Sequence, residues 1–206
     1  MKENNPSNLI EILAFFKEDI PFNLPKEMRV YSIKKTKDSL NIVEKEMEKI
    51  FEELKAKFPK NLYNIIFYLL GELADNIDQH SNFSCASIMA DYDKNKKEIN
   101  ICIFDDGITI PGAFEAKSIL TKDDIDAIKQ ALEGKSTKKE EGRGTGLRSS
   151  KNLVEKGLNG DFYIISRKGF VHENTSKIID RKLNGTLIYI KFKDPQEDLN
   201  IYSYIE

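Results

Sequence analysis

The sequence predicts an α+β two-layer sandwich, a mixed or mostly antiparallel sheet covered on one face by helices. Three observations point there. Two long segments with helical spacing precede the hairpin and the later strands. Two apolar runs, residues 85–92 and 99–104, flank the polar turn at 93–97 and read as a hairpin. The order of elements is helices, hairpin, loop, helix and strands, which suits a sheet with helices gathered on one side.

Residues 9–16 (LIEILAFF) form an amphipathic helix, too short and too charged at Glu11 to span a bilayer. It is expected to pack on the domain, with docking against a partner left open. Residues 28–33 alternate as a strand does. From Thr36, the residues Leu40, Val43, Met47, Ile50, Phe51 and Leu54 recur at helical spacing until Pro59 stops the run. A second helix covers 62–80. After the hairpin, residues 105–141 lose strand character, apart from a short helical piece at 123–132 and a lysine-rich stretch at 135–139, and read as a lid-like insert. A helix over 147–158 leads to a strand at 161–166, and the last clear strand is 186–192 (TLIYIKF). The acidic end after Pro195 reads as a loose tail. The resulting division is 1–35, an N-terminal helix and strand packed on the domain, 36–193, the main domain, and 194–206, the tail.

The chain has 206 residues, enough for one domain with a sizeable core. Its 32 basic and 34 acidic residues give a formal charge of −2, so the electrostatic footprint of a nucleic-acid binder is missing. Cys85 and Cys102 lie in apolar strands without C-x-x-C spacing, which predicts reduced core thiols and a cytoplasmic protein. No signal-peptide pattern and no membrane-spanning run is expected.

Chemistry concentrates in four places. Glu72, Asn76 and His80 follow one another at i, i+4 on the second helix. Leu62, Ile66, Leu69, Leu73 and Ile77 make its apolar arc and Asn64, Gly71, Asp75 and Asp78 its solvent arc, which leaves Glu72, Asn76 and His80 on the apolar edge. Polar groups there face protein or a cavity. Asp105 ends an apolar strand and is placed to accept a hydrogen bond from an exocyclic amine, while Asp106 and Gly107 make a turn. The run Gly142-Arg143-Gly144-Thr145-Gly146-Leu147 opens a helix, and alternate glycines permit close backbone approach to an anion. Gly185-Thr186 opens the final strand.

In this order and spacing, Glu72, Asn76, Asp105-x-Gly107, Gly142-x-Gly144-x-Gly146-Leu147 and Gly185-Thr186 resemble the GHKL superfamily over residues 36–193. This is the Bergerat ATP-binding fold of gyrase, the heat-shock-90 chaperones, histidine kinases and mismatch-repair ATPases. The resemblance implies ATP and Mg²⁺ as cofactors. It implies that Asn76 holds the metal through its side-chain oxygen, that Asp105 reads adenine with Gly107 allowing close approach, and that Thr186 supports the same hydrogen-bond set. Gly142, Gly144 and Gly146, with Arg143, Thr145 and Leu147, would wrap the phosphates beneath a lid from 111 to 141. Ser136 and Thr137 either reach the terminal phosphate or belong to a solvated basic loop.

Glu72 sets the subclass. In hydrolysing members, and in the anti-sigma-factor serine kinases that this chain resembles most, a glutamate at this position can act as general base toward the group attacking the γ-phosphate. Histidine kinases commonly carry asparagine there, and this chain shows no phosphoacceptor helix: its two histidines are His80, expected to pack, and His172, in the polar segment 167–177. One departure stands out. The second glycine of the family's D-x-G-x-G is Thr109 here, followed by Ile110 and Pro111, which predicts a stiffer hinge into the lid. The expected function is thus a small ATP-dependent switch or protein Ser/Thr kinase acting on a separate protein partner. A stand-alone ATPase and a non-enzymatic ATP-gated binding module are the alternatives, with a homodimer possible and neither nucleic acid nor membrane as partner.

Overall fold

A computed structural model describes residues 9–18, 29–35, 42–135, 146–195 and 199–204, with the side chain of His80 outside that set. Its centre is a five-stranded, wholly antiparallel sheet in the order β1-β2-β3-β5-β4. The strands are β1 (Val30–Lys34), β2 (Cys85–Asp93), β3 (Glu98–Asp105), β4 (Asp161–His172) and β5 (Thr175–Lys193). Helices α2 (Ile42–Lys55), α3 (Tyr63–Asn76), α5 (Asp124–Leu132) and α6 (Gly146–Asn152) follow the chain order that the sequence predicts, with α1 (Leu9–Phe15) ahead of them and an additional helix, α4 (Ile110–Ala116), after β3. Among the described residues, no helix is long and apolar enough to cross a membrane.

Alternation along the strands builds two cores. Ile88 and Ala90 of β2, Ile99, Ile101 and Ile103 of β3, and Ile188 and Ile190 of β5 join the apolar faces of α2 and α3. The intervening residues Met89, Cys102, Phe104, Leu187 and Tyr189 point to the other face, where they meet Leu9, Ile12, Leu13 and Phe16 of the N-terminal helix. That face is therefore not bare. β3 is buried at every position, which is why its sequence reads as a continuous apolar run rather than as alternation. The polar Asn100 is tolerated inside because the Tyr189 hydroxyl donates to it at 2.6 Å. Cys85 and Cys102 are both free, and burial pushes the Cys102 thiol well up.

Two segments depart from the sequence reading. The insert after Asp105 opens with a helix, α4, because the Thr109 hydroxyl accepts from the Gly112 amide at 3.1 Å as an N-cap and Pro111 sits in the first turn, where it forfeits no helical hydrogen bond. The threonine that replaces a family glycine is thus a capping residue. Residues 167–172 and 175–185, to which the sequence reading assigns no strand, continue β4 and β5 as a long hairpin. Its register shifts at Ser166–Gly169: between Arg167↔Leu183 and Gly169↔Ile178, β4 advances two residues while β5 advances five. Such a bulge bends the ribbon sharply. Arg167, at φ 58°, fixes the bend through Asp124 at 2.8 Å and Glu115 at 2.7 Å.

Candidate functional site

The site is built where α3 runs out over the end of β3 and the stretch of β5 paired with it. Ile65, Ile66, Leu69, Leu70, Leu73 and Ala74 anchor α3 in the core, while Asp75 and Asp78 face solvent. Glu72 and Asn76 are half-buried on the edge between them, as the helical wheel predicts. Immediately after Asn76 the helix widens into a turn of π-helix, Ile77–Ser81. It is closed by the Ser81 hydroxyl, which donates to the Ile77 carbonyl at 2.8 Å. This widening carries Ser81 to the strand end.

There Asp105 lies 5 % exposed. Burial pushes its carboxyl up to about 7, against the opposing pull of the Gly107 amide, which donates to Oδ1 at 2.9 Å, and of the neighbouring Ser81 hydroxyl. Asp106 plays a separate part, accepting from the Ser84 and Cys85 amides at 2.7 and 2.8 Å to tie the strand end to β2. The backbone around Asp105 is packed so closely that two glycines are obligatory. A Cβ at Gly107 would stand 2.1 Å from the Ser81 carbonyl oxygen, and one at Gly185, which has φ +116°, would stand 1.8 Å from the Asp105 carbonyl oxygen.

Thr186 is the cross-strand neighbour of Asp105. Its hydroxyl lies 3.0 Å from that of Ser166, a fully buried serine that also accepts from the Ile110 amide at 2.8 Å. Ser166 thus links the start of α4 to β5 at the point where its pairing with β3 ends. Neither Ser81 nor Ser166 stands out in the sequence, since both take their role from register and from the π-turn.

Asp105, Ser81, Thr186, Asn76, Leu147 and Lys135 line one cleft, whose remaining walls are mostly isoleucine, leucine, alanine and phenylalanine side chains. A concave, largely apolar site with a few converging polar groups is the usual form of a small-molecule pocket. At its other end, α6 begins against α3. A Cβ on Gly146 would fall 2.0 Å from Glu72 Oε2 and 3.7 Å from Asn76 Nδ2, so Gly146 is the residue that lets α6 approach both. Asn76 Nδ2 is buried and has no hydrogen-bond partner among the described residues. Ser136, Thr137, Gly142, Arg143, Gly144 and Thr145 lie outside the described residues. The other sequence-predicted positions, Glu72, Asn76, Asp105, Gly107, Gly146, Leu147 and Thr186, come together around the cleft and the α3–α6 contact.

The donor set suits a nucleotide with a divalent cation. An orphaned amide N–H in the cleft suits an acceptor such as a phosphate oxygen, a buried carboxyl lines the same apolar cleft, and the Glu72 carboxylate sits directly over Gly146. The comparisons agree. A family model described as histidine kinase-, DNA gyrase B-, and HSP90-like ATPase matches residues 62–196. None of the curated proteins compared with the chain matches it. Members of that family bind ATP, generally with Mg²⁺. With the family model covering well over half of the sequence, and the α+β sheet and cleft in place around it, this chain belongs to the histidine kinase-, DNA gyrase B- and HSP90-like ATPase family.

Proposed function

We propose that the chain binds Mg-ATP in this cleft and uses it as a small switch or Ser/Thr kinase toward a separate protein partner. The observation that carries the reading is Asp105, a buried carboxyl in the lining of an apolar cleft. As a carboxylate it accepts a hydrogen bond from the adenine amine, while Thr186, held by Ser166, supports the same edge. Asn76 would hold Mg²⁺ through its side-chain oxygen, and its buried, unpartnered Nδ2 would donate to a phosphate oxygen. The ion, when bound, neutralises phosphate charge. Gly146, with Gly142, Arg143, Gly144, Thr145 and Leu147, would cover the phosphates, and Ser136 and Thr137 would reach the terminal one. Glu72 is the general base. Its carboxylate lies against α6 beside Asn76, where it would orient or deprotonate the hydroxyl or water that attacks the γ-phosphate.

Where the γ-phosphate goes separates the three readings. Incubation with γ-labelled ATP and Mg²⁺, alone and with proteins encoded beside this chain, should place label on a Ser or Thr of one such partner. Free phosphate without labelled protein would select the stand-alone ATPase, and tight binding with neither product would select the ATP-gated binding module. Failure to bind ATP at all would overturn the reading.

A further inference from the structure

A second group of chemistry-bearing residues lies away from the nucleotide cleft, at the two ends of β4. Asp161 and His172 are eleven residues apart on one strand, a span of about 36 Å in straight β geometry. The bulge at Ser166–Gly169 folds the ribbon back, and His172 Nε2 comes to 3.2 Å from Asp161 Oδ1. Glu173, next in the turn, brings its carboxylate into the same group, with one ligand atom from each of the three residues within 4.8 Å of the others.

We propose that Asp161, His172 and Glu173 bind a single divalent transition ion of the zinc class, which staples the folded-back hairpin to the base of its own strand. Four features support the assignment. First, the ligand set is one imidazole and two carboxylates, the N/O combination that such ions take, with room for water to complete four-coordination. Second, metal–ligand bonds of about 2.0–2.2 Å in a tetrahedron place ligand atoms about 3.3 Å apart, and the Asp161–His172 separation of 3.2 Å already has that length. Third, the imidazole is oriented before any ion arrives, stacked on the Tyr163 ring at 3.9 Å between centroids and 9° between planes. Fourth, the Asp161 and Glu173 carboxylates repel one another at this distance unless a cation lies between them.

The surroundings are polar. Asp161 and Glu173 share a surface cavity with Lys151, Glu155, Asn159 and Asn174. Lys151 is taken up by Glu155 Oε2 at 2.5 Å, which leaves Glu155 Oε1 buried with no hydrogen-bond partner among the described residues. The residue at the turn is itself informative. Glu173 has φ 46° in a two-residue hairpin turn, His172 being paired with Thr175, where glycine or asparagine is the easier choice. A plain Asp161–His172 ion pair would leave Glu173 without a task, and this is the point on which the two accounts part.

Calorimetric titration of Zn²⁺ into the full chain without nucleotide tests the proposal. One equivalent should bind in the micromolar range or tighter and should raise the melting temperature. Glu173→Gln should weaken binding by about 10-fold or more, and His172→Gln by more again. Should His172→Gln fail to fold, Glu173→Gln decides, because its side chain is exposed on a turn. Absence of tight Zn²⁺ binding, or an affinity and melting shift unchanged in Glu173→Gln, would overturn the site; the latter would move the ion to other ligands such as the cysteines.

Discussion

Asp105→Asn is expected to strengthen the ligand-free fold at alkaline pH while weakening its hold on ATP. The Asp105 carboxyl titrates near 7 in the folded protein because it is buried, against roughly 3.9 in the unfolded chain. Its raised value means that the folded state holds a proton that the unfolded state has released between about pH 4 and pH 7. The stabilisation is fully present below pH 4 and is lost as pH rises through 7, so at pH 8 the native protein keeps a buried charge at a cost of order a few kcal/mol. The neutral amide escapes that cost. Chemical denaturation of the two proteins from pH 4 to pH 8 should therefore diverge upward with pH, the variant becoming the more stable; parallel profiles would show that Asp105 is not held in a desolvated site. ATP affinity should move the opposite way, falling about 10- to 100-fold at pH 8, since an amide cannot accept as a carboxylate does.

The second large effect concerns Glu72. Removing a general base typically costs about 10²- to 10⁴-fold in rate. Glu72→Ala should therefore slow γ-phosphate loss or transfer by that order while leaving ATP affinity within a few-fold. Gly146→Ala offers an independent route to the same end. Its methyl group would occupy space now held by Glu72 Oε2, and because that oxygen is the end of a flexible side chain, the carboxylate moves and the fold survives. The variant should keep its melting temperature and lose rate. A Gly146→Ala protein as active as the native one would show that the Glu72 position is not tuned by α6, and equal rates for Glu72→Ala would remove it as the base.

Much of this site is legible in the sequence because it depends on periodicity. The 100° step of a helix places Glu72 and Asn76 at the edge of α3, and the structure leaves them half-buried there. Asp105 is legible for a similar reason: it is the first carboxylate after an apolar run, and such a residue at a strand end borders the core. What could not be read depends on contacts between distant segments. Ser166 matters only because the register of β4 and β5 sets it beside Thr186, and Ser81 only because a π-turn delivers it to Asp105. The long hairpin escaped because its strands carry Arg167, Lys168, Lys177, Asp180, Arg181 and Lys182, charges tolerated where the ribbon leaves the sheet and one face stays wet. The cover on the second face of the sheet had only half a signal. The N-terminal helix is plainly amphipathic, but nothing in its spacing says which face of the sheet receives it. The insert after Asp105 shows the limit of motif reading as well: Thr109 interrupts a glycine pattern yet supplies the cap that starts α4.

The central claim is that Asp105 reads adenine within the cleft, and base discrimination in the native protein tests it most directly. ATP presents an exocyclic amine, a donor that a carboxylate accepts. GTP presents a carbonyl oxygen there, which sets acceptor against acceptor in a buried site. In calorimetric titrations at pH 8 with Mg²⁺, where Asp105 is mostly ionised, ATP should bind one site about 100-fold or more tightly than GTP. Equal affinity for the two nucleotides, or no ATP binding, would contradict the account.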